Sequence, residues 1–293
     1  MTFTLTSGRS SAVVRTFGGE IISYKHDGLE YIWQGDPAYW ADHSPILFPV
    51  ICYPYEGKIA FDGVEYPMPK HGFAMNQEFE PVLISKDRVI LEQRETEETL
   101  RSFPFCYSLK VEYGITDEGF YCNFYVRNLD KNEMTFCIGA HPGFNCPIRP
   151  EDGGFEDYTL VFDDASGCVV SISPDEYMDD ALPKINVLKG TNELPLRYSD
   201  YDQDSLTVEN MPKSALNFIA NSTGRGIRFD FTGFKALGIW TPNDKPSPLL
   251  CLEPWNGLPA DRKETAEAKS KKYAITIQPD EEYSVGYTVT MIQ

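Results

Sequence analysis

The sequence predicts a single antiparallel all-β domain over residues 1–293, built as a large sandwich. Several short segments alternate apolar and polar residues, which is the period of a strand with one buried face. The chain also holds 17 tyrosines, 18 phenylalanines, 22 glycines and 21 prolines. Such a composition is typical of many short strands joined by turns.

Residues 109–115 and 120–126 alternate on either side of a turn at 116–119, which predicts a hairpin. The same strand, turn and strand pattern ends the chain at 273–277 and 283–291. We expect further strands at 89–93, 159–162, 206–209 and 226–231. Residues 261–272 carry helix signals, with a capping box of Asp261 and Glu264, but they lack an apolar face, so a loop is the alternative.

The net charge of −18 disfavours nucleic acids and anionic membranes as partners. The seven cysteines are odd in number and form no C-x-x-C pair, which favours reduced core thiols. We find neither a secretory leader nor an apolar run of about 18 residues, and therefore expect a cytoplasmic protein without a membrane partner.

Four histidines, at 26, 43, 71 and 141, show no spacing of the kind that metal sites use, so we expect no metal. His71 follows Pro67 and Pro69 and precedes Gly72. Prolines and glycines in this arrangement predict an ordered loop at a rim or cleft. An ordinary surface histidine is the alternative.

His141 lies in the stretch IGAHPGFNC, at the end of an apolar strand. Pro142 biases it toward extended geometry, and Gly143 allows another backbone or a ligand to approach closely. A core histidine with a satisfied hydrogen bond is the alternative.

Glu253 interrupts the apolar run LLCLEPWNG, on the same side of the strand as Cys251 and Trp255. A carboxylate there is costly unless it is paired or functional, and burial would raise its pKa toward that of a general base. A structural pair with an arginine is the alternative. Four aromatic residues could offer flat faces to a ring: Phe73, Phe144, Trp240 and Trp255. This set suits a neutral, polyhydroxylated ligand.

The segments HGFA at 71–74, GAHPGFNCP at 139–147 and CLEPWNG at 251–257 resemble the aldose 1-epimerase (galactose mutarotase) family, most closely its LacX-like branch. The ordered resemblance extends through most of the chain, from GGEIISYKHDG near the start to IQPDEEYSVGYTV at the end. It implies a β-supersandwich, no cofactor, and interconversion of the α and β anomers of a free aldose.

The resemblance also implies roles for individual residues. Glu253 matches the family's general base and His141 its general acid, while His71 and Asp204 match residues that contact the sugar. With Trp240 and Phe144 as further substrate contacts, the partner is a small neutral sugar. Self-association as a homodimer stays open.

Two positions depart from the family pattern, because Tyr53 and Met75 stand where LacX-like members usually carry arginines. Arginine guanidinium groups bind phosphate through paired hydrogen bonds, so their absence at these positions disfavours a hexose phosphate as the substrate. Two alternatives remain: a hexose-phosphate epimerase that recruits Lys58, Lys70, Arg94 or Arg101, and a carbohydrate-binding or sensing protein without catalysis.

Overall fold

We describe the protein from a computed structural model, which covers residues 1–174, 177–179 and 181–293. Within these residues 24 strands form. They are β1 Thr2–Ser7, β2 Ser10–Arg15, β3 Ile21–His26, β4 Leu29–Glu30, β5 Ile46–Leu47, β6 Lys58–Phe61, β7 Val64–Pro67, β8 Glu80–Ile84, β9 Arg88–Arg94, β10 Tyr107–Ile115, β11 Gly119–Asn128, β12 Met134–Phe136, β13 Ile138–Ala140, β14 Gly143–Asn145, β15 Tyr158–Phe162, β16 Val169–Ile172, β17 Glu193–Pro195, β18 Leu206–Glu209, β19 Ala215–Ala220, β20 Gly226–Asp230, β21 Ala236–Trp240, β22 Leu249–Asn256, β23 Ile275–Ile277 and β24 Glu282–Ile292.

The helical elements of the described chain are short 3-10 turns, as an all-β prediction requires. They span Tyr55–Gly57, Ala74–Asn76, Thr99–Arg101, Pro150–Asp152, Phe155–Asp157, Tyr198–Tyr201 and Ala268–Ser270. Within the described part of the chain, no helix is long and apolar enough to cross a membrane.

Two antiparallel sheets dominate the fold. The first has nine strands in the order β17-β15-β19-β20-β24-β11-β10-β9-β8, and the second has seven, in the order β16-β18-β21-β22-β13-β5 with β14 also paired to β22. Their inner faces share one hydrophobic core, to which the first sheet contributes Phe229 and the second Leu237. A four-stranded sheet, β1 to β4, and two hairpin-sized sheets complete the structure.

The alternation in the sequence produced this arrangement. In β11 the buried side chains fall on every second residue, from Phe120 to Val126, and the strand pairs with β10 as the predicted hairpin. The two C-terminal strands also form, but they do not pair with each other. β23 pairs with β12, whereas β24 lies between β11 and β20.

The region at 261–272 is a loop, so the helix prediction is wrong there and the loop alternative is confirmed. The predicted capping interaction exists, since the Asp261 backbone N–H donates to the Glu264 carboxylate at 3.2 Å. The side chain of Lys271 also pairs with Glu264. Without an apolar face to bury, the segment gains nothing from a longer helix and stops at one 3-10 turn.

Candidate functional site

A cavity of about 300 Å³ opens beside the centre of the seven-stranded sheet. Its wall is built from segments far apart in sequence and includes most of the predicted site residues. They are Trp40, Asp42, Pro45, Cys52, Lys70, His71, Met75, Asn76, His141, Asp204, Ser205, Trp240, Glu253 and Trp255. The volume lies at the lower end of the range of small-molecule sites, which begins at about 300 Å³.

Strand register brings His141 and Glu253 together. β13 and β14 are two pieces of one strand path along β22, since Gly139 pairs with Trp255 and Gly143 with Cys251. The same register, carried through the interruption between them, sets His141 opposite Glu253. Nε2 of His141 lies 3.2 Å from Oε1 of Glu253, although more than a hundred residues separate the two in sequence.

Both groups of this pair are buried: 8% of His141 and 2% of Glu253 remain exposed. Burial raises the pKa of Glu253 well above its ordinary value, and the nearby Asp204 acts in the same direction while Lys70 opposes it. Burial also lowers the pKa of His141 to about 3, with Lys70 again contributing. These shifts favour the neutral forms of both groups, with the proton on the carboxyl group.

The alternatives raised for these two residues do not describe their surroundings. Glu253 is paired with an imidazole rather than with an arginine. For Nδ1 of His141, which is buried, the described residues provide no hydrogen-bond partner. In a core histidine with a purely structural role, this nitrogen would have a hydrogen-bond partner.

His71 is a cavity residue, not an exposed one. It adopts a left-handed backbone conformation with φ of +59°, which is uncommon for a residue with a Cβ. The Cys52 backbone N–H donates to Nδ1 of His71 at 3.1 Å, so the neutral ring carries its proton on Nε2. Burial lowers the pKa of His71 well below its usual value, with His141 and Lys70 adding to the effect. The ring is therefore a neutral hydrogen-bond donor.

Asp204 and Trp240 form a second pair in the wall of the cavity. Trp240 is the last residue of β21, and Asp204 lies two residues before β18 with φ of +73°. Nε1 of Trp240 donates to Oδ1 of Asp204 at 2.9 Å. The hydrogen bond fixes the plane of the indole beside the carboxylate.

Phe144 does not belong to the cavity, which corrects the interpretation of its ring as a substrate contact. It is fully buried on β14 and packs edge-on against Phe229 of the other sheet at 6.1 Å. Strand alternation explains this outcome, since neighbouring residues of a strand face opposite sides. Phe73 likewise packs in the core, against Phe48.

Trp40 and Lys70 are among the cavity residues that the sequence analysis did not assign to the site. Trp40 stacks on the His141 ring, with centroids 4.8 Å apart and planes 27° from parallel. Lys70 was considered only as a substitute for missing arginines, and it does line the cavity, as does Met75. Tyr53, at the other departure from the family pattern, is 41% exposed, and the Lys70 ammonium lies 5.8 Å from its ring centroid.

Among residues 1–174, 177–179 and 181–293, no group of three or more histidine, cysteine, aspartate or glutamate side chains is arranged to hold a metal ion. The seven cysteines are free thiols, five of them buried.

Comparison with known proteins agrees with this geometry. Residues 1–290 match the aldose 1-epimerase family. The chromosomal LacX protein of Lactococcus lactis is 30% identical over the full length of both chains, and so is its plasmid-encoded counterpart.

Solved structures show the same fold. A galactose mutarotase-like protein from Lactobacillus casei superposes with a TM-score of 0.92 at 27% identity, covering all of both chains. A galactose mutarotase related enzyme from Lactobacillus acidophilus superposes with a TM-score of 0.93 at 24% identity, covering all of this chain and 98% of the other. The fold is thus that of galactose mutarotase-like proteins, and the chain belongs to the aldose 1-epimerase family.

Proposed function

We propose that this protein is a cofactor-free mutarotase that interconverts the α and β anomers of a small neutral aldose. The observation that carries the proposal is the buried contact of His141 with Glu253 in the wall of a sugar-sized cavity. Mutarotation needs one proton acceptor and one proton donor at two oxygens bonded to the same carbon. A histidine and a carboxylate 3.2 Å apart supply both over such a short span.

In the proposed reaction, Glu253 is the base and His141 is the acid. The carboxylate removes the proton of the anomeric hydroxyl, and the electrons of that O–H bond form the carbonyl. The bond from the anomeric carbon to the ring oxygen breaks, and the ring oxygen takes the proton from the imidazolium. Rotation about the bond from the carbonyl carbon to its neighbour, followed by closure with the roles reversed, gives the other anomer.

The pair needs a single proton to run this cycle. Burial favours the neutral forms of both groups, with that proton on Glu253. Its transfer to His141 gives the carboxylate and the imidazolium, which attract each other in a site of low polarity. Lys70 favours the ionised carboxylate in this state. During ring opening His141 gives its proton to the ring oxygen and Glu253 takes the proton of the anomeric hydroxyl, so the pair again holds one proton, on Glu253, and ring closure reverses both transfers.

The remaining wall residues suit a hydroxylated ring. Trp240 offers an apolar indole held by Asp204, and carboxylate oxygens accept hydrogen bonds from sugar hydroxyls. His71 offers the Nε2 donor left by its bond from Cys52. We assign these three residues to sugar binding.

The charges of the cavity favour a neutral sugar over a sugar phosphate. Among the described residues that line it, Lys70 is the one permanent cation, and no arginine is present. Asp42, Asp204 and Glu253 supply the carboxyl groups. A phosphate, with almost two negative charges, would meet more acidic groups than basic ones.

Anomer exchange measured by NMR with a panel of free aldoses, glucose and galactose among them, tests the proposal directly. We expect exchange well above the rate in protein-free buffer for at least one neutral aldose. Saturable binding of the sugars without faster exchange would instead establish the binding or sensing alternative. Faster exchange of hexose 6-phosphates alone would overturn the assignment of a neutral substrate.

A further inference from the structure

We infer that Trp40 is a positioning residue, whose indole fixes the orientation of the His141 ring toward Glu253, and that Gly143 provides the room for it. The inference rests on the proposed mutarotase function for its kinetic meaning. The contacts themselves are independent of that function.

The first observation concerns how the His141 ring is held. Histidines that transfer protons or bind metals commonly have their second ring nitrogen fixed by a hydrogen bond. Nδ1 of His141 is buried, and no other residue in the described part of the chain bonds to it. Apart from the contact of Nε2 with Glu253, orientation of the ring must therefore come from packing.

Trp40 is the nearest of the three aromatic rings that contact His141. Its indole lies over the imidazole face, with centroids 4.8 Å apart and planes 27° from parallel. His71 and Trp240 meet the same imidazole edge-on, each with a centroid separation of 5.6 Å. One flat contact and two edge contacts leave the ring little freedom to rotate. An aromatic face also attracts a cation, so the stack does not oppose protonation of the imidazole.

Gly143 explains how the indole reaches this place. A Cβ at residue 143 would lie 2.8 Å from Cζ3 of Trp40 and 3.2 Å from the His43 carbonyl oxygen. The first distance is shorter than side chains tolerate, so an alanine there would push the indole off its position. The close approach that the HPG sequence predicted is therefore the approach of a tryptophan.

Backbone contacts tie the loop that carries Trp40 to the same strand path. Nε1 of Trp33 donates to the Trp40 carbonyl at 2.7 Å. The His141 N–H donates to the Pro45 carbonyl and the Gly143 N–H to the His43 carbonyl, each at 2.9 Å. The loop is thus hydrogen-bonded to the strand path at His141 and at Gly143. These bonds fix the position of the loop that carries the Trp40 indole.

The test compares Trp40→Phe, Trp40→Leu and Gly143→Ala with Tyr39→Leu, which removes a neighbouring ring that does not line the cavity. Anomer exchange gives kcat and KM, and NMR of the folded variants gives the chemical shifts of the His141 ring protons. We expect Trp40→Leu and Gly143→Ala to lower kcat by about ten- to a hundredfold, as misplacement of a reacting group does, with KM little changed. We expect Trp40→Phe to restore most of kcat and Tyr39→Leu to match the wild type.

The ring-proton shifts make the result independent of catalysis. Because the imidazole is stacked on the indole, we expect the His141 ring protons of the wild type to resonate upfield, and we expect both Trp40→Leu and Gly143→Ala to remove that displacement. Unchanged shifts in those variants would overturn the inference, even for a protein that catalyses no anomer exchange. A rise in KM at constant kcat would overturn it as well and would make Trp40 a sugar-binding surface instead. If Trp40→Leu fails to fold, Gly143→Ala carries the same comparison.

Discussion

Replacing Glu253 with glutamine should have opposite effects on activity and on stability. Glutamine keeps the size of the side chain but cannot accept the proton of the anomeric hydroxyl. A general base contributes about 10²- to 10⁴-fold to a rate, so we expect kcat for anomer exchange to fall by that factor, or about 3–5 kcal/mol of transition-state stabilisation. NMR exchange measurements at neutral pH detect such a loss against the spontaneous reaction.

Stability should change in the other direction because the pKa of Glu253 is higher in the folded protein than in the unfolded chain. The unfolded chain then loses its proton first as the pH rises. Folding stability contributed by this group is therefore complete below its ordinary pKa of about 4.5 and is lost as the pH rises through the folded-state pKa. Each pH unit between the two values costs about 1.4 kcal/mol. Glutamine does not titrate and escapes this cost.

Urea unfolding at pH 4 and pH 8 measures this difference. We expect Glu253→Gln to match the wild type at pH 4 and to be more stable than the wild type at pH 8, because only the wild type must then keep or lose a proton at a buried carboxyl group. Glu112→Gln is the matched control. That carboxylate is also buried in a sheet, but it accepts hydrogen bonds from Tyr125 at 2.8 Å and from Arg88 at 3.3 Å and does not line the cavity. The control should lose stability and keep activity.

The outcome that would refute the reasoning is a Glu253→Gln variant that behaves like the control. Full activity with reduced stability would mean that Glu253 is a structural partner of His141. Parallel loss of activity and stability at both pH values would mean that the variant fails by unfolding. Loss of activity with a gain of stability at alkaline pH is the combination that a strained, functional carboxylate produces.

Three further substitutions test the walls of the cavity. Lys70→Met removes a charge that lowers the pKa of the pair, so both limbs of the pH–rate profile should move to higher pH. Asp204→Ala frees the Trp240 indole and should raise KM by about tenfold through the loss of one charged hydrogen bond. Gly238→Ala places a Cβ 2.2 Å from the Trp255 ring, and thermal unfolding should show about 1–3 kcal/mol of destabilisation from overpacking.

Each of these has its own control. Lys58→Met removes an exposed lysine that does not line the cavity and should leave the pH–rate profile in place. Asp204→Asn keeps an oxygen that accepts the indole N–H, so an equal rise in KM would mean that the charge rather than the hydrogen bond matters. For Gly238→Ala, an unchanged midpoint of unfolding would show that β22 can shift to accommodate the methyl group.

The sequence predicted the strands well because a strand with one buried face alternates apolar and polar residues, and this alternation is visible in the sequence. It predicted the pairing of β10 with β11 but not the pairing of strands far apart in the chain. β23 and β24 look like a hairpin from their spacing, yet the first joins β12 and the second joins β11 and β20. Pairing across long separations depends on how the whole core closes, and local alternation carries no information about that.

The site shows the same division. His71, His141 and Glu253 were predicted from local features that are hard to explain otherwise: a titratable group inside an apolar run or beside prolines and glycines. Phe144 was assigned wrongly because an aromatic residue next to such a motif points into the core as readily as into a cavity. Trp40 was missed because its segment has no unusual pattern. A weak signal did exist in Gly143, whose missing side chain predicted a close neighbour without naming it.

The geometry of the pair also explains why its two members can lie so far apart in sequence. Residues opposite each other in neighbouring antiparallel strands present their side chains on the same face, so the distance between them follows from the register. A slip of one residue between the β13–β14 path and β22 would turn either His141 or Glu253 to the other face of the sheet. The flanking pairs, Gly139 with Trp255 and Gly143 with Cys251, hold that register on both sides of the interruption. The His-Pro-Gly sequence therefore does more than orient the imidazole. It interrupts the strand without shifting its register, so His141 stays opposite Glu253.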